Sequence, residues 1–239
     1  MNIEYIAPLI CFWHVISAEI SKYKPPAIAN NMVSFIHCLS FIGHYSYNYN
    51  LEYAIHISIG FYFYDLFYIF SQIFKEKSEL KQRAPFIIHH IAGIYILNAT
   101  LAGEGKDHIL YAYNILEKSN IMLYISYYVH KQYAEHLKLN AISDFIQLLS
   151  YSYYRLFALS LFVYNNRIHF FEFHFMTQFL IIGVYGMGYA WSYRLFQKNI
   201  ANIANYNALI VARSKKYSSA GWRSAPAPDL LWISRMMCS

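Results

Sequence analysis

The sequence predicts an all-α polytopic membrane protein, with about seven transmembrane helices. Three observations point there. The composition is 57% hydrophobic and 20% aromatic with only 13% charged residues, an apolar balance beyond that of ordinary globular chains. Apolar runs of spanning length recur along almost the whole chain. The Lys and Arg residues alternate between the loops joining those runs.

The first span covers 3–20; it carries Glu4 and no basic residue before it, so it reads as a retained span rather than a cleaved signal. The second, 27–43, contains VSFIHCLS and with it His37. The third, 51–73, contains GFYFYDLFYI and Asp65. The fourth, 85–103, takes up most of RAPFIIHHIAGIYIL, which sets His89 beside His90. LEKSNIMLYISYYV puts Glu117 and Lys118 in the fifth, 109–129. YYRLFALSLF puts Arg155 in the sixth, 141–164, and the seventh, 174–196, runs into GYAWSYRLFQK.

Lys22 and Lys24 fall in the first loop, Lys75, Lys77, Lys81 and Arg83 in the third, and Lys131 and Lys138 in the fifth. Arg194, Lys198 and further bases run from the end of the seventh span into the tail, whereas the alternate loops hold only Lys106 and Arg167. This pattern places the N-terminus on the luminal or outer side and the C-terminus in the cytosol. The net charge of +6 is then topology and tail, with no nucleic-acid partner implied. The chain divides into a transmembrane domain, 1–198, and a flexible basic cytosolic tail, 199–239, containing KKYSSAGWRSAPAPDLL.

An ionisable residue at the centre of a membrane helix costs about 2.5–3.5 kcal/mol, so such groups face the bundle interior with a partner. His89, His90 and Asp65, on consecutive spans, form the candidate catalytic group. Neighbours on a helix are about 100° apart, so the two imidazoles straddle a cavity rather than share one direction. His37 reads first as a hydrogen-bonded packing residue. Glu117 and Arg155 read either as an interhelical ion pair or as parts of a site, and Lys118 either snorkels or binds a head group. About two turns separate His90 from Arg83, which puts the rings roughly 10 Å inside the cytosolic edge. The 11 histidines never recur at three- or four-residue spacing, which argues against a metal. No dinucleotide fingerprint, phosphate loop or nucleophile elbow is present, so no cofactor is expected. Cys11, Cys38 and Cys238 make no disulfide framework.

Taken in order, the motifs of spans two to seven resemble those of the TLC domain family, which includes the ceramide synthases, the translocon-associated TRAM proteins and smaller proteins of lipid homeostasis. The likeness covers about 30–198. The stretch DHILYAYNILE lacks the paired acids that ceramide synthases carry there, so the chain looks most like the smaller members. The resemblance implies an endoplasmic-reticulum protein of membrane lipid metabolism or homeostasis, its seven spans bundled around a lipid-sized cavity lined by the His pair. In it, His89 or His90 would serve as nucleophile or general base of an acyltransferase, and Asp65 would orient a ring. His37, Glu117, Lys118 and Arg155 would contact lipid head groups. Its partners would be membrane lipids and acyl-CoA. Two alternatives stay open: a non-catalytic TLC protein that binds lipid or assists membrane proteins, and a seven-span receptor or transporter.

Overall fold

The computed structural model describes residues 3–75 and 80–219, with no side-chain description at a few positions within the helices. It is all-α. Helices α1 (Ile3–Ser21), α2 (Pro26–Ser46) and α3 (Leu51–Lys75) are followed by α4 (Leu80–Leu101) and α5 (Lys106–Gln132). Then come α6 (Leu137–Ser152), a π-helical turn (Tyr153–Ala158), α7 (Leu159–Asn165), the short α8 (Arg167–Phe170) and α9 (Phe175–Ser219).

Local chemistry sets the boundaries. Pro25, at φ −53° and ψ 146°, stands just before α2, and Pro26 fills the first helical position, where a missing N–H costs nothing. Asn48 and Asn50 take positive φ between α2 and α3, and the Asn50 side chain accepts from Tyr53 N at 3.1 Å. Between α4 and α5, Gly103 and Gly105 adopt φ of 96° and 49°. A Cβ on Gly105 would also strike the Phe173 ring at 2.2 Å, so this loop tolerates glycine on two counts. Glu104, from the same loop, accepts from His174 N and Thr177 Oγ1 and caps the start of α9 with a carboxylate.

Helix α3 is the centre of the bundle, with α1, α2 and α4 packed on it, while α5 joins α2 to α6. The core gathers Trp13, Val33, Phe41, Ile55, Ile59, Phe61 and Tyr62. Trp13 Nε1 donates to Ile57 O at 3.2 Å, tying α1 to α3. Helix α6 is turned unusually: Asn140, Ser143, Asp144, Gln147 and Tyr151 are buried, whereas Ile142, Phe145, Ile146 and Leu149 are exposed. Other outward faces are apolar too, with Ile88, Ile91, Phe157 and Ile182 each more than half exposed. Burial inside the bundle accounts for only part of the apolar composition.

The seven-span bundle is not what the structure supports. Among the described residues, two helical segments are long and apolar enough to cross a membrane, Leu51–Lys75 and Arg83–Leu101, by length and composition only. A core helix meets the same criteria, and α3 is one, with 56% of its apolar window buried in the protein. The predicted spans 3–20, 27–43, 109–129, 141–164 and 174–196 are helical, but they do not meet the test. Their hydropathy is diluted by residues such as Asn30 and Asn31 in α2 and Glu117, Lys118 and Asn120 in α5. The run 141–164 is divided by the π-helical turn, which leaves α6 only 16 residues long. The luminal N-terminus and the cytosolic C-terminus rested on seven crossings and fall with them.

The chain divides into two compact units, Met1–Asn199 and a second from Ile200 onward. Residues 199–219, assigned from sequence to a flexible tail, belong to α9. Residues 220–239 and Lys77 lie outside the described residues.

Candidate functional site

Two cavities lie within the first unit. The wider, about 610 Å³, is lined by polar and ionisable residues from α2 to α6 and α9, among them Asn30, His37, Asp65, Arg83, His90, His130, Arg194 and Lys198. The narrower, about 110 Å³, is lined mostly by apolar residues such as Ile96, Leu116, Leu159, Phe162 and Val184. Tyr62, His89, Glu117, Asn120 and Arg155 line both, so they form a waist between a chamber rich in ionisable groups and a more strictly apolar one.

The wide cavity holds a directed chain of hydrogen bonds. Tyr64 OH donates to Asn30 Oδ1 at 3.0 Å, and Asn30 Nδ2 donates to Asp65 Oδ1 at 3.0 Å. The other carboxylate oxygen, Oδ2, lies 2.5 Å from His90 Nε2. Burial alone would raise the Asp65 carboxyl, yet the hydrogen bond and charge of His90 and the Asn30 amide hold it below its ordinary range. An ionised carboxylate only accepts, so Nε2 must carry the proton that points at it. In the neutral ring the lone pair is then on Nδ1, which is buried and makes no hydrogen bond. Tyr62 stacks on the His90 ring at 5.0 Å and 25°. Gly93, one turn further along α4, makes this possible, because a Cβ there would meet Tyr62 Cε2 at 2.6 Å.

His89 is placed differently. Its ring stands edge-on to Tyr62 at 6.3 Å and to Trp191 at 5.9 Å, and it makes no hydrogen bond to the described residues. Burial, then the charges of His90 and Arg155, push it well below the usual histidine range. It is a neutral imidazole at the waist.

The remaining predicted residues separate. His37 is deep in the core, 1% exposed, stacked on Phe61 at 4.1 Å and 3.0 Å from Ser58 Oγ through Nε2. Burial, then the charge of His90, lowers it to about 3. Glu117 and Arg155 do not form an ion pair: Asn120 stands between them, accepting from Arg155 Nη2 at 3.2 Å and reaching Glu117 Oε2 at 3.5 Å. Cys38 Sγ donates to the Glu117 carbonyl at 3.1 Å. Lys118, one residue around the helix from Glu117, is absent from the lining of both cavities.

Asn30, Tyr62, Tyr64 and Trp191 were not anticipated. Neither was Asp144, 1% exposed, whose Oδ1 accepts from Lys198 Nζ at 2.8 Å, His130 Nε2 at 2.8 Å and Ser126 Oγ at 3.1 Å. The signal for Asp144 was present: Asn140, Ser143, Asp144, Gln147 and Tyr151 recur at three- and four-residue steps and mark one polar face.

No protein-family model matches the chain, and no curated protein or solved structure shows significant similarity to it. The likeness to the TLC domain family, drawn from an ordered set of short motifs, therefore does not stand. Without the seven-span frame or a matching relative, neither do the placement in the endoplasmic reticulum, the role in membrane lipid metabolism, the membrane-lipid and acyl-CoA partners, the non-catalytic TLC alternative or the receptor and transporter alternatives.

Proposed function

We propose that the wide cavity is a small-molecule active site that works by general acid–base catalysis. The observation that carries this reading is the free Nδ1 of His90 on a ring whose Nε2 is held at 2.5 Å by Asp65. In the proposed step, Nδ1 takes a proton from the substrate, or from a water attacking it. The imidazolium that forms is stabilised by Asp65, which is fixed in turn by Asn30 and Tyr64. Nδ1 then returns the proton to the leaving or rearranged group. His89, neutral and with an Nδ1 that has no hydrogen-bond partner among the described residues, offers a second acceptor where the cavities meet. The substrate is a small molecule with its reacting polar end in the wide cavity and an apolar arm in the narrow one.

The test is substrate depletion. The purified full chain is incubated with a small-molecule extract and followed by mass spectrometry, beside His90→Gln and Asp65→Asn. The expected result is consumption of a discrete compound by the wild type, about 100-fold or more slower in His90→Gln. Equal consumption by the variants, or none by the wild type, overturns the reading.

A further inference from the structure

Arg155 lies in the π-helical turn Tyr153–Ala158, a widened geometry that is rare in helices and gathers at functional sites. Its side chain is 3% exposed and anchored along one edge. Nε donates to Ser119 Oγ at 2.8 Å, Nη2 donates to Asn120 Oδ1 at 3.2 Å, and the plane lies 4.9 Å over the Tyr151 ring. Nη1 is buried and makes no hydrogen bond. A guanidinium has five donors and no acceptor, and a buried donor without a partner is costly. Glu117 does not supply that partner, since Asn120 separates the two and burial pushes the Glu117 carboxyl up toward its neutral form. Arg155 lines both cavities, and Nη1 runs beside Gly188, whose missing Cβ leaves it room, so a fixed positive charge with one unpartnered nitrogen stands at their waist.

We propose that Arg155 Nη1 binds the carboxylate of a compact organic acid whose apolar arm lies in the narrow cavity between Leu116, Leu159, Phe162 and Val184. Arg155 presents one unpartnered nitrogen and a single positive charge, which matches a singly charged carboxylate better than a phosphate monoester with its higher charge and extra acceptor oxygen. The small volume of the apolar arm site and its aromatic wall fit a single ring or a short branched chain. This assignment deepens the proposed function and rests on its reading of the two cavities as one ligand site.

Phenylpropionate is the probe, with phenylpropanol, phenylpropylamine and phenyl phosphate as controls, each titrated calorimetrically into the full chain. The wild type is expected to bind the acid about 10- to 100-fold more tightly than the alcohol or the amine. Arg155→Met is expected to abolish that preference, and Arg155→Lys to reduce it while keeping its sign. Equal binding of acid and alcohol overturns the proposal, as does tighter binding of phenyl phosphate or an unchanged preference in Arg155→Met. If Arg155→Met does not fold, an unchanged preference in Arg155→Lys overturns it instead. Acid-selective binding in a protein without turnover overturns the acid–base reading alone. Turnover without acid-selective binding overturns the role of Arg155 alone.

Discussion

His90 Nε2 and Asp65 Oδ2 stand 2.5 Å apart, joining α4 to α3 at the wall of the wide cavity. Asp65→Ala removes the acceptor of two buried donors, His90 Nε2–H and Asn30 Nδ2–H. Each stranded donor costs about 1–3 kcal/mol. Urea unfolding is expected to show a lower midpoint with an unchanged slope. A midpoint equal to that of the wild type would show that the pair does not stabilise the fold.

His37 gives an acid-side dependence. It is lowered from 6.5 to about 3 in the folded chain, so the unfolded chain takes up a proton that the folded one excludes. Stability contributed by neutral His37 is present above pH 6.5 and falls as the pH drops below it, with His89 acting in the same direction. His37→Phe keeps an aromatic ring beside Phe61 and is expected to flatten the melting temperature between neutral pH and about pH 5. A wild-type slope in that variant would assign the dependence to other groups.

Asp144 acts in a lower window. Burial alone would raise it, but hydrogen bonds from Lys198 and His130 and their charges hold it below 3.8. Its contribution is complete above pH 3.8 and is lost as the pH falls through the lower folded value. Asp144→Asn is expected to be less stable at neutral pH and to lose less on acidification below that point, as read by thermal melts. Parallel acid limbs in the two proteins would contradict this.

Gly93→Ala tests the support behind the dyad. The added Cβ would lie 2.6 Å from Tyr62 Cε2, so the ring must leave its place over His90. Overpacking of this kind costs about 1–3 kcal/mol. Thermal melts should show the loss, and proton NMR should show displaced His90 ring signals. Unmoved His90 signals would mean that Tyr62 does not position the ring.

The helical segments were legible because apolar runs bounded by Pro, Asn and Gly mark them out, as at Pro25–Pro26, Asn48–Asn50 and Gly103–Gly105. The grouping of Asp65 with a histidine of α4 was legible too, since ionisable side chains within apolar runs need partners. What the runs do not reveal is their setting: the apolar composition predicts membrane crossing along the whole chain, whereas among the described residues two segments are long and apolar enough for it. Asn30 and Tyr64 were hidden because their link to Asp65 is a contact between α2 and α3 with no local spacing behind it. Asp144 was passed over because its neighbours Phe145 and Ile146 made the segment look apolar, although those side chains are exposed and the polar stripe is buried. The π-helical turn at Arg155 has no sequence signature in YYRLFA that the periodicity reveals.

Nitrogen NMR of the His90 imidazole, in protein labelled at the ring nitrogens, measures the proton position on which the proposed chemistry depends. For the neutral ring the expected spectrum shows Nε2 protonated and Nδ1 carrying the lone pair, with that preference lost in Asp65→Asn. A proton found on Nδ1 with Nε2 bare, or a tautomer unchanged by Asp65→Asn, would contradict the assignment of His90 as an Asp65-oriented base.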